Sequence, residues 1–265
     1  IPMISPSNIP IQSLFNYSFL IKRQPSRSTQ SKEMAIYIKN SKDDYNLLLL
    51  SDVEDNKSKV YGNIFSDAFN DTIYLIKDSL KEVDSILPTL LKRGDDWSHL
   101  LDKLSKKKSN LIIITSNQVP FLTYAFNKII EFSNSQEHYK SDFEIFGFED
   151  IYRIKTIDVI YKNKFNLHFV SKGIPDIKSI RIAEFKAKYR DFFSAEPTKY
   201  SFLGYDIVKS IFMKIYPDKL NSESYYQGLL NDVFYNRIDL GSGSENSLVN
   251  FYRIEDYNLI QIPQD

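Results

Sequence analysis

Between residues 45 and 150, uninterrupted apolar runs recur and each ends in a polar tip. They are "YNLLLLSD" (45–52), "TIYLIKD" (72–78), "NLIIITSN" (110–117) and "FEIFGFED" (143–150). Strands that are covered by helices on both faces of a parallel sheet have this form. The four runs therefore predict four parallel strands.

Segments with helical spacing of apolar residues follow three of these runs. They are "NKSKVYGNIFSDAFN" (56–70), "DDWSHLLDKLSKKKS" (95–109) and "VPFLTYAFNKIIEFSN" (119–134), and the second carries an apolar stripe that includes Trp97. Strands that alternate with helices at short intervals build right-handed βαβ units. The segment 46–150 is therefore predicted to be an α/β unit with a parallel sheet.

After residue 150 the pattern becomes mixed. "FNLHFVSKG" (165–173) predicts a strand, and "IRIAEFKAKYRDFF" (180–193) and "SFLGYDIVKSIFMKIY" (201–216) predict helices. "LVNFYRIED" (248–256) and "YNLIQI" (257–262) alternate in the way that predicts a closing β-hairpin.

Composition excludes several classes of function. The 34 basic residues balance the 34 acidic ones, so no net charge favours a nucleic-acid partner. The chain has no cysteine, only eight glycines and no GxGxxG or P-loop pattern, which argues against thiolate chemistry and nucleotide cofactors. The three histidines have no metal-ligand spacing, and the apolar runs are shorter than the roughly 20 residues that span a bilayer. We expect no enzyme activity, no catalytic residue, no metal, no cofactor and no transmembrane segment in this chain.

Polar residues at the strand ends are the candidates for a ligand site. Open α/β sheets bind ligands at the carboxyl ends of their strands, and hydroxyl, amide and carboxylate groups hold polar solutes by hydrogen bonds. The alternative is that these residues are polar because loops face water. The candidates are Ser5, Ser7 and Asn8 in the opening loop "ISPSN", Asp52, Ser116, Asn117 and Glu149.

Taken in order, several motifs resemble type I periplasmic binding proteins of the leucine/isoleucine/valine-binding, or receptor-ligand-binding, kind. The resemblance rests on "IPMISPSN", "NLLLLSD", "DDWSHLLDKL", "FEIFGFED" and "PTKYSFLGYDIVKSIF" and spans almost the whole chain. It implies an α/β fold of two lobes with parallel sheets that close over a solute, the first lobe being truncated at its N-terminus.

The resemblance also implies a division of the chain and a set of ligand contacts. Residues 1–16 and 172–218 would be a remnant of lobe I, and 17–171 and 219–265 would be lobe II with the crossover strands. The implied contacts are Ser5, Ser7, Asn8, the segment from Asp52 to Asn56, Ser116, Asn117 and Glu149, of which Glu149 would pair with an α-ammonium group.

Two hypotheses of function follow. The first is a non-catalytic solute-binding module of the periplasm or cell envelope, anchored by lipid through the missing N-terminal part or not anchored. It would bind a small polar solute, amino acid, peptide or cell-wall fragment for transport or sensing, with a membrane transporter or envelope protein as partner. The alternative is a protein-interaction or scaffold module that keeps the fold but has lost the ligand pocket, and that uses its 18 Tyr and 19 Phe at protein surfaces.

Overall fold

The chain divides into two compact units. A computed structural model describes residues 3–5, 12–71, 86–138, 140–174, 179–215, 225–226, 228–230, 232–237 and 243–263. Unit 1 consists of Ile1–Ser26 and Lys172–Val249, and unit 2 of Arg27–Ser171 and Asn250–Asp265. Within the described ranges, no helix has both the length and the apolar character needed to cross a membrane.

The secondary structure alternates between strands and helices along most of the chain. The strands are β1 (Met3–Ser5), β2 (Leu20–Lys22), β3 (Tyr45–Asp52), β4 (Thr89–Leu91), β5 (Ser109–Ile114), β6 (Phe143–Phe148), β7 (His168–Ser171), β8 (Tyr225–Tyr226), β9 (Val233–Arg237), β10 (Ser244–Asn246), β11 (Asn250–Glu255) and β12 (Asn258–Ile262). The helices are α1 (Gln12–Asn16), α2 (Arg27–Ser41), α3 (Asn56–Asp71), α4 (Val119–Ser133), α5 (Glu149–Arg153), α6 (Val159–Lys164), α7 (Ile180–Phe193) and α8 (Lys199–Ile215), with a 3-10 helix at Ser98–Lys103.

Unit 2 is built on a largely parallel sheet. Among the described residues, seven strands lie in the order β12-β11-β7-β6-β5-β3-β4. Strands β4, β3, β5, β6 and β7 run parallel to one another. The central strands are apolar on both faces: Leu49, Ile113 and Ile145 are each at most 1% exposed. Burying one such side chain contributes about 1.5–3 kcal/mol relative to leaving it in water, so these strands form the core of the unit.

Three of the four predicted parallel strands are confirmed as neighbours in one sheet. Leu48 of β3 lies opposite Ile112 of β5, and Ile112 lies opposite Ile145 of β6. The run 72–78 lies outside the described residues. The described strand on the other side of β3 is β4.

The helix predicted over 95–109 is wrong outside residues 98–103. The structure has only the 3-10 helix, and Leu104 is already extended with φ −81° and ψ 140°. The side chain of Asn110 explains the difference: its Oδ1 accepts from the Ser105 amide at 2.7 Å, and its Nδ2 donates to the Ser105 carbonyl at 2.9 Å. These side-chain hydrogen bonds replace the backbone bonds of a continued helix.

The predicted closing hairpin is confirmed. Strand β11 pairs antiparallel with β12, and it also pairs antiparallel with β7. The two turn residues, Asp256 and Tyr257, have φ values of 48° and 63°. Positive φ at both central positions is the requirement of a two-residue type I′ turn. The hairpin therefore extends the parallel sheet with two antiparallel strands.

Unit 1 contains a smaller mixed sheet and two long helices. In the described part of the chain, five strands lie in the order β1-β2-β10-β9-β8, with β1, β2 and β10 parallel. Helices α7 and α8, both predicted from the sequence, pack through aromatic rings: the centroid of Phe185 lies 4.8 Å from that of Phe202 and 5.1 Å from that of Tyr205.

Charged side chains lie in the interior of unit 1. Lys22 Nζ lies 2.7 Å from Glu245 Oε1, and Arg23 Nη2 lies 2.8 Å from Asp206 Oδ2. The four side chains are at most 6% exposed. Asp206 also accepts from the amide of Leu229 at 2.7 Å. A short sheet with little apolar area is thus joined by buried ion pairs.

The two units differ in extent from the predicted lobes. Contacts place 17–26 and 219–249 in unit 1, whereas the predicted division placed them with lobe II and the crossover strands. The reason for the first difference is that β2 pairs with β1 and β10. The assignment of the units to lobe I and lobe II stays a prediction.

Candidate functional site

The carboxyl ends of β3, β4 and β5 lie at one edge of the sheet in unit 2. Strand β3 lies between β4 and β5, and the chain passes from β3 to β4 on one side but from β5 to β6 on the other. Adjacent strands whose connections leave in opposite directions form a switch point, the place where open α/β sheets bind ligands. The switch point here lies between Asp52 and Ser116.

A cavity of about 290 Å³ opens at this switch point. We call it the switch-point cavity. It is comparable with the smaller ligand pockets of proteins, which begin at about 300 Å³. Its lining combines carboxylates, one guanidinium, one amide and apolar surface, and consists of Asp52, Glu54, Asp55, Arg93, Gln118, Pro120 and Phe121.

Asp52 is the buried acidic group of the cavity. It is 6% exposed, and its Oδ1 accepts from the Glu54 amide at 2.9 Å. Burial raises the pKa of the Asp52 carboxyl; the Glu54 amide and Arg93 lower it, and the charges of Asp55 and Glu54 raise it further. A carboxylate held in this way is stabilised by a ligand that brings a hydrogen-bond donor or a positive charge.

The other charged groups of the cavity differ in their exposure and in their hydrogen-bond partners. Asp55 Oδ1 accepts from the Lys57 amide at 3.0 Å, while its Oδ2 is buried and has no hydrogen-bond partner. Glu54 is exposed, and its Oε1 lies 3.5 Å from Lys92 Nζ. Arg93 is exposed and lies two residues after the end of β4. The cavity thus combines three carboxylates with one lining guanidinium.

A buried hydroxyl network fixes the strand ends that carry these groups. Ser51 Oγ lies 2.8 Å from Thr115 Oγ1, and Thr115 Oγ1 donates to the Ser58 carbonyl at 3.1 Å. Ser58 Oγ in turn accepts from the Asp52 amide at 2.9 Å. Because these bonds join β3, β5 and the first turn of α3, the Asp52 backbone is held in one position. Gly62 allows this packing, since a Cβ there would overlap Ser51 Oγ.

Aromatic packing forms the apolar side of the cavity. The centroid of Phe121 lies 5.7 Å from that of Trp97, which in turn meets Tyr124 edge-on at 5.1 Å. Trp97 is fully buried, and its Nε1 donates to the Lys92 carbonyl at 3.1 Å. This bond fixes the backbone next to Arg93. Trp97 is therefore a core residue that also positions the loop bearing the guanidinium.

Three of the predicted site residues lie near the cavity without lining it. Asn56 begins α3 and is exposed, and its Oδ1 accepts from Lys59 Nζ at 3.3 Å. Ser116 is buried, and its Oγ accepts from the Gln118 amide at 3.1 Å. Asn117 Oδ1 accepts from Gln118 Nε2 at 3.2 Å. Ser116 and Asn117 therefore orient Gln118, which does line the cavity.

The opening-loop candidates belong to unit 1. Ser5 ends β1 and is buried, and its carbonyl accepts from the Arg23 amide at 3.3 Å. Ser7 and Asn8 lie outside the described residues. A role of these three residues in ligand binding stays a prediction.

Glu149 is held by other side chains of unit 2. Its Oε2 accepts from Ser171 Oγ at 2.8 Å, and its Oε1 accepts from Arg153 Nε at 2.6 Å. The neighbouring Asp150 forms an ion pair with Arg27, whose guanidinium lies 4.7 Å from the centroid of the Phe148 ring. A ligand ammonium at Glu149 would share the carboxylate with Arg153. Pairing of Glu149 with such a group stays a prediction.

Sequence reasoning missed several lining residues. Glu54 and Asp55 lie within the predicted segment 52–56, whereas Gln118 was not predicted although it directly follows Asn117. Arg93 gave no signal of this kind, because it follows the short strand β4, which carries no apolar run. Among the described residues, no group of three His, Cys, Asp or Glu side chains is arranged to hold a metal ion.

Comparisons of whole structures find the same architecture in binding proteins. The leucine-binding protein LivK of Thermotoga maritima matches with a TM-score of 0.54 and 14% identity, over 99% of this chain and 72% of LivK. The branched-chain amino acid binding protein LivJ of Streptococcus pneumoniae, solved with isoleucine, matches with a TM-score of 0.51 and 14% identity, over 99% of this chain and 73% of LivJ. LpoA of Haemophilus influenzae matches with a TM-score of 0.56 and 12% identity, over 96% of this chain but 42% of LpoA.

These likenesses establish the fold. The chain has the α/β fold of type I periplasmic binding proteins, with sheets in which parallel pairing dominates, as the sequence predicted. It spans about three quarters of the length of the amino-acid-binding proteins and less than half of LpoA. No protein-family model matches the chain, and no curated protein matches its sequence.

Proposed function

We propose that the chain is a non-catalytic solute-binding module of the periplasm or cell envelope, which holds a small polar or amino-acid-like solute for transport or sensing. The observation that carries the proposal is the switch-point cavity. Its two aspartates and its guanidinium lie where an α/β sheet binds ligands, and they match the ammonium and carboxylate groups of an amino acid.

The geometry favours binding over catalysis. The acidic groups are held by backbone amides, as Asp52 is by Glu54, and a fixed carboxylate of this kind is suited to orienting a solute. Fold likeness to leucine- and isoleucine-binding proteins supports the same class of function. A membrane transporter or envelope protein is the partner that such a module would serve.

Thermal unfolding with a panel of solutes tests the proposal. Amino acids, short peptides and muropeptides should be screened on the 265-residue protein. A solute at about 100 times its Kd stabilises the folded state by about 2.7 kcal/mol, so the Tm should rise by several degrees. Asp52→Ala should remove the shift, and Glu149→Ala should weaken it if the predicted contact exists.

The matched control is Asp67→Ala. Asp67 is an exposed aspartate on α3, the helix that follows β3. Its substitution should leave the ligand-induced shift in Tm unchanged. A panel in which no solute raises the Tm would contradict the proposal. A shift that Asp52→Ala leaves intact would exclude the switch-point cavity as the site.

A protein-interaction or scaffold module is the second candidate function. It is favoured by exposed aromatic residues on α7 and α8, where Phe192 is 81% exposed and Tyr200 is 68% exposed. Large exposed aromatic side chains are enriched at protein interfaces. In this case, Phe192→Ser with Tyr200→Ser should abolish a specific envelope complex and leave any solute-induced Tm shift unchanged.

A further inference from the structure

The lining of the switch-point cavity has an excess of negative charge. Asp52, Glu54 and Asp55 contribute three carboxylates, and Arg93 contributes one positive charge. Lys92 lies 3.5 Å from Glu54 and compensates that exposed carboxylate from outside the lining. The two aspartates are thus left with a single guanidinium, which is exposed at the rim.

One oxygen of each aspartate has no hydrogen-bond donor within the described part of the chain. Asp55 Oδ2 is buried and has no hydrogen-bond partner. Asp52 is 6% exposed, and only its Oδ1 accepts a hydrogen bond within the described part of the chain. A buried carboxylate oxygen without a donor is unfavourable, because it has lost its water and gained nothing in return. A ligand that brings donors would remove this penalty.

The chemistry of the lining favours an organic cation over a metal ion. Calcium requires six to eight oxygen ligands, and the described residues contain no cluster of three His, Cys, Asp or Glu side chains able to hold a metal. The cavity also has an apolar side. Phe121 is 2% exposed and packs against Trp97, whereas Pro120 is exposed and lines the same cavity. Pro120 therefore offers apolar surface to an alkyl chain.

We propose that the switch-point cavity takes an aliphatic cation, a solute with an ammonium or guanidinium group on an alkyl chain. This inference rests on the proposed solute-binding function and names the class of solute. The cationic group donates to the free oxygens of Asp52 and Asp55, and the alkyl chain packs on Pro120. Lysine, arginine and putrescine are the simplest members of the class.

Isothermal titration with matched solutes tests the proposal. Lysine and norleucine share the same six-carbon amino acid skeleton, and lysine differs only by the ammonium group on its terminal carbon. A charge-assisted hydrogen bond lost in a buried site corresponds to a roughly 10- to 100-fold difference in Kd, so lysine should bind at least about tenfold more tightly than norleucine. Arginine and putrescine report whether a guanidinium, or a second ammonium in place of the α-amino acid group, is accepted.

Asp52→Asn and Asp55→Asn should each weaken binding of the cation by about tenfold or more, because the amide loses the charge and keeps the size. Asp67→Asn is the matched control and should bind as the unaltered protein does. If Asp52→Asn fails to fold, Asp55→Asn and the ratio of lysine to norleucine affinity still decide the question.

The outcomes separate this inference from the proposed function. Equal affinity for lysine and norleucine would overturn the cationic class and leave solute binding standing. Calcium binding that Asp52→Asn abolishes, with no binding of lysine, would also overturn it. The absence of binding by any solute of the panel would overturn both proposals.

Discussion

The two units place charge in different positions relative to their cores. In unit 2 the central strands are apolar, and Leu49, Ile113 and Ile145 have almost no exposed surface. In unit 1 the short strand β2 turns Lys22 inward, and Arg23 directly after it is buried as well; each is 1% exposed. Unit 2 is therefore stabilised mainly by buried apolar area, and unit 1 depends in addition on pairs of opposite charges.

The contrast between the two cores indicates where single substitutions should have the largest effect on stability. A buried apolar side chain can be shortened at a graded cost, because its neighbours relax. A buried ion pair has no graded response, since removing one partner leaves the other charge buried and unpaired. We therefore expect the most sensitive positions to lie in unit 1, although its core is the smaller one.

The largest effect is expected for Asp206→Ala in unit 1. This change leaves Arg23 buried without its partner and removes the acceptor of the Leu229 amide. The free energy of unfolding should fall by about 3–5 kcal/mol, measured by urea denaturation. The exposed pair of Arg190 and Glu196 in the same unit is the control, and Glu196→Ala should cost less than about 1 kcal/mol. Equal effects of the two changes would remove the contrast between buried and exposed pairs.

The second effect concerns a histidine in the core of unit 2. His168 is buried and stacks on Phe146 at 4.4 Å, and burial, with Lys42 nearby, lowers its pKa from 6.5 to about 3. Between these pH values the unfolded chain binds a proton that the folded chain does not, so stability is complete above pH 6.5 and declines as the pH falls. The loss should be on the order of a few kcal/mol by pH 4.

His168→Gln should reduce this decline in the free energy of unfolding between pH 7 and pH 4, as measured by denaturation curves at each pH. His99→Gln, at an exposed position of the 3-10 helix, should leave the decline in stability unchanged. If His168→Gln loses stability with falling pH as the unaltered protein does, another group causes the acid sensitivity.

Two glycines, one in a helix of each unit, should give smaller changes in stability of opposite sign. A Cβ at Gly62 in α3 of unit 2 would overlap Ser51 Oγ, whereas a Cβ at Gly204 in α8 of unit 1 meets nothing within 4 Å. Gly62→Ala should therefore destabilise by about 1 kcal/mol after its gain in helix propensity, and Gly204→Ala should stabilise by up to about 1 kcal/mol. Thermal unfolding of the two variants checks the opposite signs; two stabilising changes would mean that the hydroxyl network yields.

The smallest effect is expected for Asp52→Asn in the ligand-free protein. Since the folded-state pKa of Asp52 is raised above its ordinary 3.8, its charge destabilises the folded state as the pH rises through that interval. The variant should be more stable than the unaltered protein by about 0.5–1 kcal/mol at pH 7, and the gain should vanish below pH 4. A loss of stability at pH 7 would show that the Asp52 charge is compensated within the protein.

Much of unit 2 could be predicted because its signals are local. Apolar runs such as 110–114 can form a buried strand without information from elsewhere in the chain, and Asp256 with Tyr257 mark a turn by position between alternating segments. The carboxyl ends of such strands then placed Asp52 at the edge where the cavity lies. Fold and approximate site follow from the same pattern.

The interior of unit 1 could not be predicted in this way. Lys22 and Glu245 are 223 residues apart, and each alone has the sequence character of a surface residue. The wrong prediction of a helix over 95–109 has a related cause. Asn110 lies outside the helical pattern, and its side chain bonds the Ser105 amide and carbonyl in place of helical hydrogen bonds. Arg93 likewise reaches the cavity only because β4 pairs with β3. Contacts made by pairing across the chain leave no periodic signal.

Binding of a small solute in the switch-point cavity of unit 2 can be followed residue by residue in a heteronuclear NMR titration of the 265-residue chain with lysine. We expect saturable shifts of backbone amides that are confined to residues 52–56, Arg93 and residues 116–118. If the shifts are absent at millimolar lysine, or fall on residues of unit 1 instead, the cavity is not the binding site.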